Sequence, residues 1–372
     1  MHLENISLSN FKNYQQCDLE FSPHINCIVG PNGSGKTNLL DAIHYLSLTK
    51  SAFSNIDQQA IKHLEDFFVI RGTFCKNGKE VQLQCSLKSG GKKALLKDKK
   101  PYIKLSEHVG NFPSVLITPY DTDLIREGSE VRRKFLNNIL AQIDGEYLDD
   151  LMKYLHLLRQ RNQLLKDMAG GQPFDALLVN SYDEPMIGLC RKIHERRNSF
   201  MVDFLEIFKK HYALLSDHKE QVEISYRSHL QSQNFAVEFK EALQKDMALQ
   251  RSTKGVHKDD LVFTIENHSL KKFGSQGQQK CFVIALKLAQ FEIITNNKGF
   301  KPLLLLDDIF DKLDDRRIEK LMTMVAGQVF GQLFMTDARP ERTSRILEKI
   351  DAEQRTFLVE SGEVKPPGLL PK

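Results

Sequence analysis

The 372-residue chain has no run of apolar residues approaching the 18 or so that a membrane-spanning helix needs. Its opening, MHLENISLSNFKN, lacks both the basic and the apolar region of a secretory signal. The six cysteines (Cys17, Cys27, Cys75, Cys85, Cys190 and Cys281) include no C-x-x-C pair and no metal-ligand spacing with the histidines, so they read as reduced core thiols of a cytosolic protein. An excess of charge of one sign is missing as well. Lys and Arg number 52 against 48 Asp and Glu, and a net +4 permits nucleic-acid binding without announcing it. What is present is an ordinary globular composition, 41% hydrophobic and 27% charged, in a length that predicts two or three domains.

Residues 3 to 8 alternate as a strand does, with Leu3, Ile6 and Leu8 as one buried edge. A second strand, Ile25-Asn26-Cys27-Ile28-Val29, runs straight into Gly30, and Asn38 to Leu46 predicts a helix with Leu39, Ile43 and Leu46 inward. Residues 67 to 120 read as β-rich, with turn signals at Lys76-Asn77-Gly78 and Ser89-Gly90-Gly91. Near residue 128 the texture changes. From Glu130 to Leu165 the pattern is helical, and Leu148, Leu151, Leu155, Leu158, Asn162 and Leu165 follow one another at alternating spacings of three and four. After a loop with Gly170, Gly171 and Pro173, a second helical stripe runs through Cys190, Ile193, Phe200 and Phe204 to about Tyr212. Two such helices predict an antiparallel arm, as a short coiled coil or as a plain helical subdomain. From about residue 253 strand and helix alternate again, up to the tail Lys365-Pro366-Pro367-Gly368. The expected organisation is two lobes: 1–127 with 253–372, and an inserted helical lobe at 128–252.

Gly30-Pro31-Asn32-Gly33-Ser34-Gly35-Lys36-Thr37 meets G-x-x-x-x-G-K-[ST] at every required position, with an apolar strand before it and a helix after. Glycines let such a loop turn consecutive N–H groups inward toward phosphate oxygens, and the helix N-terminus adds partial positive charge there. Lys36 is the candidate for the β- and γ-phosphates and Thr37 for Mg²⁺. The complementary acidic strand end lies far along the chain, at Leu303-Leu304-Leu305-Leu306-Asp307-Asp308. Four leucines predict a strand buried on both faces. Asp307 is the expected metal-holding carboxylate, and Asp308 the one that polarises the attacking water.

Lys36 and Asp307 stand about 270 residues apart, so a large segment is inserted between the halves of the site. Just before the acidic strand, Phe273-Gly274-Ser275-Gln276-Gly277-Gln278-Gln279-Lys280 opens a helical run from Cys281 to Ile294. Ser275, Gly277 and Gln278 are candidates for a second anion site at that helix start, with a plain N-cap as the alternative. Two chains arranged head to tail can close each other's sites around two nucleotides.

Ser275-Gln276-Gly277-Gln278-Gln279 resembles the signature loop of ABC-type ATPases in the form seen in SMC-like and RecF-type heads, and Asp311-Lys312-Leu313-Asp314 sits where that class has its D-loop. Asn10-Phe11-Lys12-Asn13-Tyr14 is similar to the N-F-R-N-Y of the RecF family, and Thr253 to Asp260 resembles its T-x-G-P-H-R-D-D segment. Pro119, Asp121, Gly128-Ser129 and Arg132-Arg133-Lys134-Phe135-Leu136 fit the family's P-x-D, G-S and R-R-x-F-L run, so the likeness covers about residues 3 to 340. It implies an α/β P-loop ABC-type ATPase head built from both chain ends, with an inserted, mainly helical second lobe. It further implies ATP and Mg²⁺ as ligands, an ATP-dependent homodimer, binding to single-stranded or duplex DNA at gaps, and weak DNA-stimulated hydrolysis. Partners of the RecR and RecO type, a role in loading recombinase during recombinational repair and the SOS response, and no membrane complete the implication. Lys12 and Lys258 stand in place of family arginines, Asp311 in place of a serine, and the segment Phe334-Met335-Thr336-Asp337 lacks the switch histidine of transport ATPases. That last difference and the inserted arm weigh against the alternative of a transporter's ATPase subunit. A non-hydrolysing ATP-dependent scaffold is the other alternative.

Lys88 to Lys104 holds seven lysines against the single acid Asp98. Within it Lys92, Lys93, Lys97, Lys99 and Lys100 are candidate DNA contacts, and a solvated hairpin is the competing reading. The arm adds Arg159, Arg161, Lys192, Arg196 and Arg197, where a solvated helix face is favoured over further DNA contacts. Nothing resembles a helix-turn-helix or an RNP aromatic pair, so contact to the DNA backbone rather than to base edges is expected.

Overall fold

The computed structural model describes residues 1–171, 173–217, 220–309, 320, 323, 329–348, 350 and 352–365. They form two compact units, Met1–Asp121 with Ile284–Lys372, and Thr122–Val283. The D-loop segment Asp311 to Asp314 lies outside the described residues.

The first unit begins with β1 (His2–Phe11), β2 (Tyr14–Glu20), β3 (Ile25–Val29) and α1 (Lys36–Leu48). It continues with β4 (Phe67–Lys76), β5 (Lys79–Lys88), β6 (Ala94–Lys97), β7 (Lys100–Pro101) and β8 (Ser114–Ile117). Six of these make an antiparallel sheet in the order β2-β1-β4-β5-β6-β7. A register shift between Leu3 and Asn5 in the β1–β4 pairing explains why Leu3 and Ile6, three apart, both point into the core. The β4–β5 turn is Asn77-Gly78, with φ of 53° and 73°, the left-handed pair that a two-residue hairpin turn requires. α1 is buried nearly all round, from Leu39 to Leu48, instead of along one stripe.

The second unit contains α2 (Asp123–Arg126), α3 (Ser129–Ile143), α4 (Gly145–Ala169) and α5 (Ala176–Ser216). Then come β9 (Val222–Arg227), α6 (Phe235–Glu241), α7 (Leu243–Leu249), β10 (Asp260–Ile265), β11 (His268–Ser269), α8 (Leu270–Phe273) and the start of α9 (Gln276–Lys298). The unit runs to Val283, beyond the 252 expected from the sequence, because β10 pairs along its whole length with β9 in a β11-β10-β9 sheet. The helical run starting at Glu130 breaks at Asp144, which is extended and caps α4 by accepting from the Tyr147 N–H at 3.0 Å. α5 is capped by Asp175 and runs 41 residues, with Pro185 inside it, to about 60 Å. Where α4 packs on α5 the buried stripe is Tyr147, Leu151, Tyr154, Leu158, Arg161 and Leu165. The leucine seam read from the sequence is therefore half right, and Leu155 is 41% exposed.

Arg161 and Arg197 correct the reading of a solvated basic face. Both are buried, Arg161 against Asp183, Asp246 and Ser252, and Arg197 against Asp259, Tyr147 and Asn137. Asp259 belongs to the Thr253–Asp260 segment, whose Asp260 receives two further bonds from Arg132. That segment is thus an internal anchor of the second unit.

The chain then returns to the first unit with β12 (Leu303–Leu306), β13 (Leu333–Asp337), β14 (Gln354–Glu360) and β15 (Glu363–Lys365). They complete a sheet in the order β15-β14-β3-β13-β12-β8, parallel except for the β14–β15 hairpin. β3, β12 and β13 are buried at every residue, as strands covered on both faces must be. One apolar cluster joins Ile28, Leu39 and Ile43 to Leu303, Leu305, Phe334 and Phe357, so residues near both chain ends share a core.

A candidate nucleotide site at the ends of parallel strands

The Gly30–Thr37 loop links the end of β3 to the start of α1. Gly30 has φ +153°, and a Cβ there would lie 2.1 Å from the Val359 carbonyl oxygen on β14. Because the obstacle is backbone, Gly30→Ala is expected to cost about 2–6 kcal/mol from strain and overlap together. Gly33, also left-handed at φ +78° but with nothing within 4 Å, should lose only about 1–2 kcal/mol of backbone strain as Ala. Thermal melts of the two variants check this, and equal losses would refute the close-approach argument.

The loop is braced from outside by the Asn10–Tyr14 segment. Asn13 donates to the Ser34 carbonyl at 3.1 Å, Tyr14 OH to the Gly35 carbonyl at 2.9 Å, and Asn38 to Asn13 at 2.7 Å. The Gly362 N–H also donates to the Ser34 carbonyl, at 2.9 Å. Asn13 and Tyr14 belong to the segment that resembles the family's N-F-R-N-Y, whereas nothing in the sequence marks Gly362 as a brace. Lys12 forms a 2.6 Å ion pair with the buried Asp41, a single contact where arginine would offer a fork. Asp41 also accepts from Ser51 Oγ and the Ala52 N–H.

Inside the loop, Lys36 is buried and its ammonium donates to the Gly30 and Pro31 carbonyls at 2.9 and 3.1 Å. The Ser34 hydroxyl oxygen is buried without a hydrogen-bond partner, an unmet polar group in a phosphate-binding motif. Pro31, Asn32 and Gly33 are exposed at the tip.

The two distant motifs meet. Thr37 Oγ1 donates to Asp307 at 2.9 Å from Oδ1, and Thr336 on β13 donates to the same oxygen at 2.9 Å. Burial raises the Asp307 carboxyl above its ordinary pKa, the bonds from Thr37 and Thr336 oppose the rise, and neighbouring Asp308 adds to it. Asp308 turns into a left-handed conformation, φ 42°, with its N–H on Thr336 Oγ1 at 2.9 Å. Thr336 thus positions both acids, a role that the sequence reading did not assign. β13 ends at Asp337, held by Arg342 through two bonds, while the Asp337 carbonyl accepts from the Gly30 N–H at 3.3 Å. Thr37 and Asp307 supply hard oxygen donors side by side, the set that Mg²⁺ prefers.

In the second unit, Ser275 starts α9 in a reciprocal capping box. The Gln278 N–H donates to Ser275 Oγ at 3.2 Å, and the Ser275 N–H to Gln278 Oε1 at 2.7 Å. The Gln278 amide also donates to Glu220 at 2.8 Å. Ser275 and Gln276 are exposed, and Gly277 is half-buried. The N-cap read as an alternative is present, and it leaves this helix start open to solvent.

Of the lysine run, Lys88, Lys92, Lys97, Lys99, Lys100 and Lys104 are exposed on or beside the hairpin β5–β7. Lys93 differs: it is tied to Asp57 at 2.7 Å and to Tyr45 OH at 3.3 Å. β7 is the edge of its sheet, and lysines there also block strand-to-strand pairing with other chains.

Residues 1–167 match the AAA ATPase domain family. Over 365 residues the chain is 48% identical to the DNA replication and repair protein RecF of Cytophaga hutchinsonii, covering 98% of this chain and 97% of that protein. The chain belongs to the RecF family. A solved structure of the recombination mediator protein RecF–ATP in the RecFOR pathway superposes with a TM-score of 0.89 at 27% identity, over 99% of this chain and 98% of that RecF. The Smc head domain of Pyrococcus furiosus shares the fold, with a TM-score of 0.56 at 17% identity, over 98% of this chain and 95% of the other. The RecF fold is thus an ABC-type ATPase head with its sheet drawn from both ends of the chain.

Proposed function

We propose that this RecF chain is an ATP-gated DNA clamp: nucleotide joins two copies head to tail, the pair grips DNA at single-strand gaps, and slow hydrolysis releases it. The observation that carries the reading is the Thr37–Asp307 contact, which joins a phosphate loop to an acidic strand end 270 residues away. Lys36 and the Ser34 hydroxyl would hold the phosphates, while Thr37 and Asp307 would hold Mg²⁺, which neutralises charge on the phosphate oxygens. Asp308 would polarise the attacking water, and a carboxylate one methylene shorter than glutamate suits slow turnover. The exposed Ser275 loop, with Gly277 and Gln278, would complete the site of a second copy through free N–H groups and the helix dipole. ATP binding, and partnership with mediator proteins of the RecO and RecR type, draw support from the relative described as RecF–ATP in the RecFOR pathway. The exposed lysines of the β5–β7 hairpin, among them Lys92, Lys97, Lys99 and Lys100, would contact phosphates, and two copies would present two such patches.

Sedimentation with and without Mg-ATP, with short gapped DNA in a parallel cell, tests the clamp. A monomer that becomes a DNA-bound dimer only with ATP supports it, and ATP binding with neither dimer nor DNA overturns it. Ser275→Arg should leave ATP binding by the monomer within about twofold and block pairing, because a guanidinium at the helix start fills the anion site. Normal dimerisation of that variant would remove the head-to-tail arrangement.

A further inference from the structure

The sequence holds no local metal-binding pattern, yet folding brings three different donors together at the start of β1. His2 and Cys75 are direct register partners across the β1–β4 pair. Glu4 lies between Leu3 and Asn5, where the register shifts, and so is the extra residue of a bulge. A bulge of this kind re-aims a side chain. The alternation puts Leu3 and Phe74 in the core and leaves His2, Glu4 and Cys75 half-buried on the opposite face.

An imidazole nitrogen, a thiol sulfur and a carboxylate oxygen from these residues all lie within 4.8 Å of one another, the one such group among the described residues. His2 Nε2 is 3.7 Å from Glu4 Oε1. Around a tetrahedral zinc, with bonds of about 2.0–2.3 Å, neighbouring ligand atoms are about 3.3–3.8 Å apart. The His2–Glu4 distance already falls in that range, and all three donor atoms lie within 4.8 Å of one another. The backbone between the two β1 ligands is fixed as well. Gln332, buried, accepts from the Leu3 N–H at 2.7 Å and donates to the Leu3 carbonyl at 2.7 Å.

We propose that His2, Glu4 and Cys75 form a binding site for a zinc-like divalent metal, with three protein ligands and the fourth position open to water. Nitrogen, sulfur and oxygen together suit Zn²⁺ and its spectroscopic stand-in Co²⁺, whereas Mg²⁺ selects an all-oxygen set. The site is separate from the nucleotide loop in its residues and in its preferred metal. It ties β1 to β4, two interior strands of the antiparallel sheet.

Cobalt titration of the full chain, purified without a polyhistidine tag and with no nucleotide present, tests this. One equivalent of Co²⁺ should give a thiolate-to-cobalt charge-transfer band in the near ultraviolet and the visible bands of four-coordination, and Zn²⁺ should bleach both. Cys75→Ser should abolish the near-ultraviolet band. His2→Ala should weaken cobalt binding by at least the ~10–100-fold that loss of an outer-shell partner costs. The half-buried His2 is a substitution the fold tolerates, so it decides the matter if Cys75→Ser proves unstable. Absence of a thiolate band, its persistence in Cys75→Ser, or unchanged cobalt affinity in His2→Ala overturns the proposal.

Discussion

Lys36→Ala is expected to abolish nucleotide-dependent pairing and to lower ATP turnover by roughly 10²–10³-fold, the usual cost of removing one charged or polar stabiliser from a reacting centre. The side chain is buried and already lies across the loop, on the carbonyls of Gly30 and Pro31. Its loss removes the only cation within the Gly30–Thr37 motif. The fold should tolerate the change, because the braces from Asn13, Tyr14 and Gly362 bind the loop backbone and none of them involves Lys36. Sedimentation with Mg-ATP and a phosphate-release assay on the same preparation separate the two effects. A dimer that forms normally with ATP, in a variant that melts like the parent, would mean that the phosphate site lies elsewhere.

Arg161→Met should destabilise the second unit by about 3–5 kcal/mol, because it strands two buried carboxylates. Asp183 and Asp246 each lie within 2.7 Å of the guanidinium, which also donates to Ser252 and stacks over Phe239. At the usual conversion for domains of this size the melting temperature falls by about 6–20 °C. The loss carries a sign in pH. Burial already raises the Asp183 pKa against the pull of Arg161, and without the arginine the main opposition to that rise is gone. A buried Asp183 destabilises the fold while charged, so the variant should recover stability as pH falls toward its raised folded-state value. A deficit that is the same at pH 7 and at mildly acid pH would show that packing, not stranded charge, sets the cost.

The layout of the candidate site was legible in the sequence because it rests on short motifs that are themselves physical devices. A glycine loop between an apolar strand and a helix has one obvious use, and four leucines ending in Asp307-Asp308 report a buried strand meeting a polar site. That Thr37 and Asp307 touch follows once both strands are placed in one parallel sheet. The arm was legible only in outline. Periodicity places a stripe on a helix but does not say whether an arginine in it is solvated or buried, and the partners that decide the matter for Arg161 and Arg197 are up to 91 residues away. The same limit applied to Lys93, whose partner Asp57 stands 36 residues earlier. A lone threonine on an apolar strand carries no pattern, so the sequence does not mark Thr336, although it positions both acids.

The order of the parallel sheet also sets a timetable for the ribosome. β3 emerges early, yet its two neighbours, β13 and β14, are translated near the end of the chain. Thr37 waits for Asp307 through 270 residues of synthesis, about 14–54 s at 5–20 residues per second. The unit Thr122–Val283 is contiguous and can be complete before then. During that interval β3 and the nascent α1 are apolar segments without their final cover, open to chaperones and to wrong strand partners. A chain truncated before β12 would keep every strand of the antiparallel sheet but only β3 and β8 of the parallel one. In this architecture the last hundred residues decide whether a phosphate loop made at the outset ever becomes one.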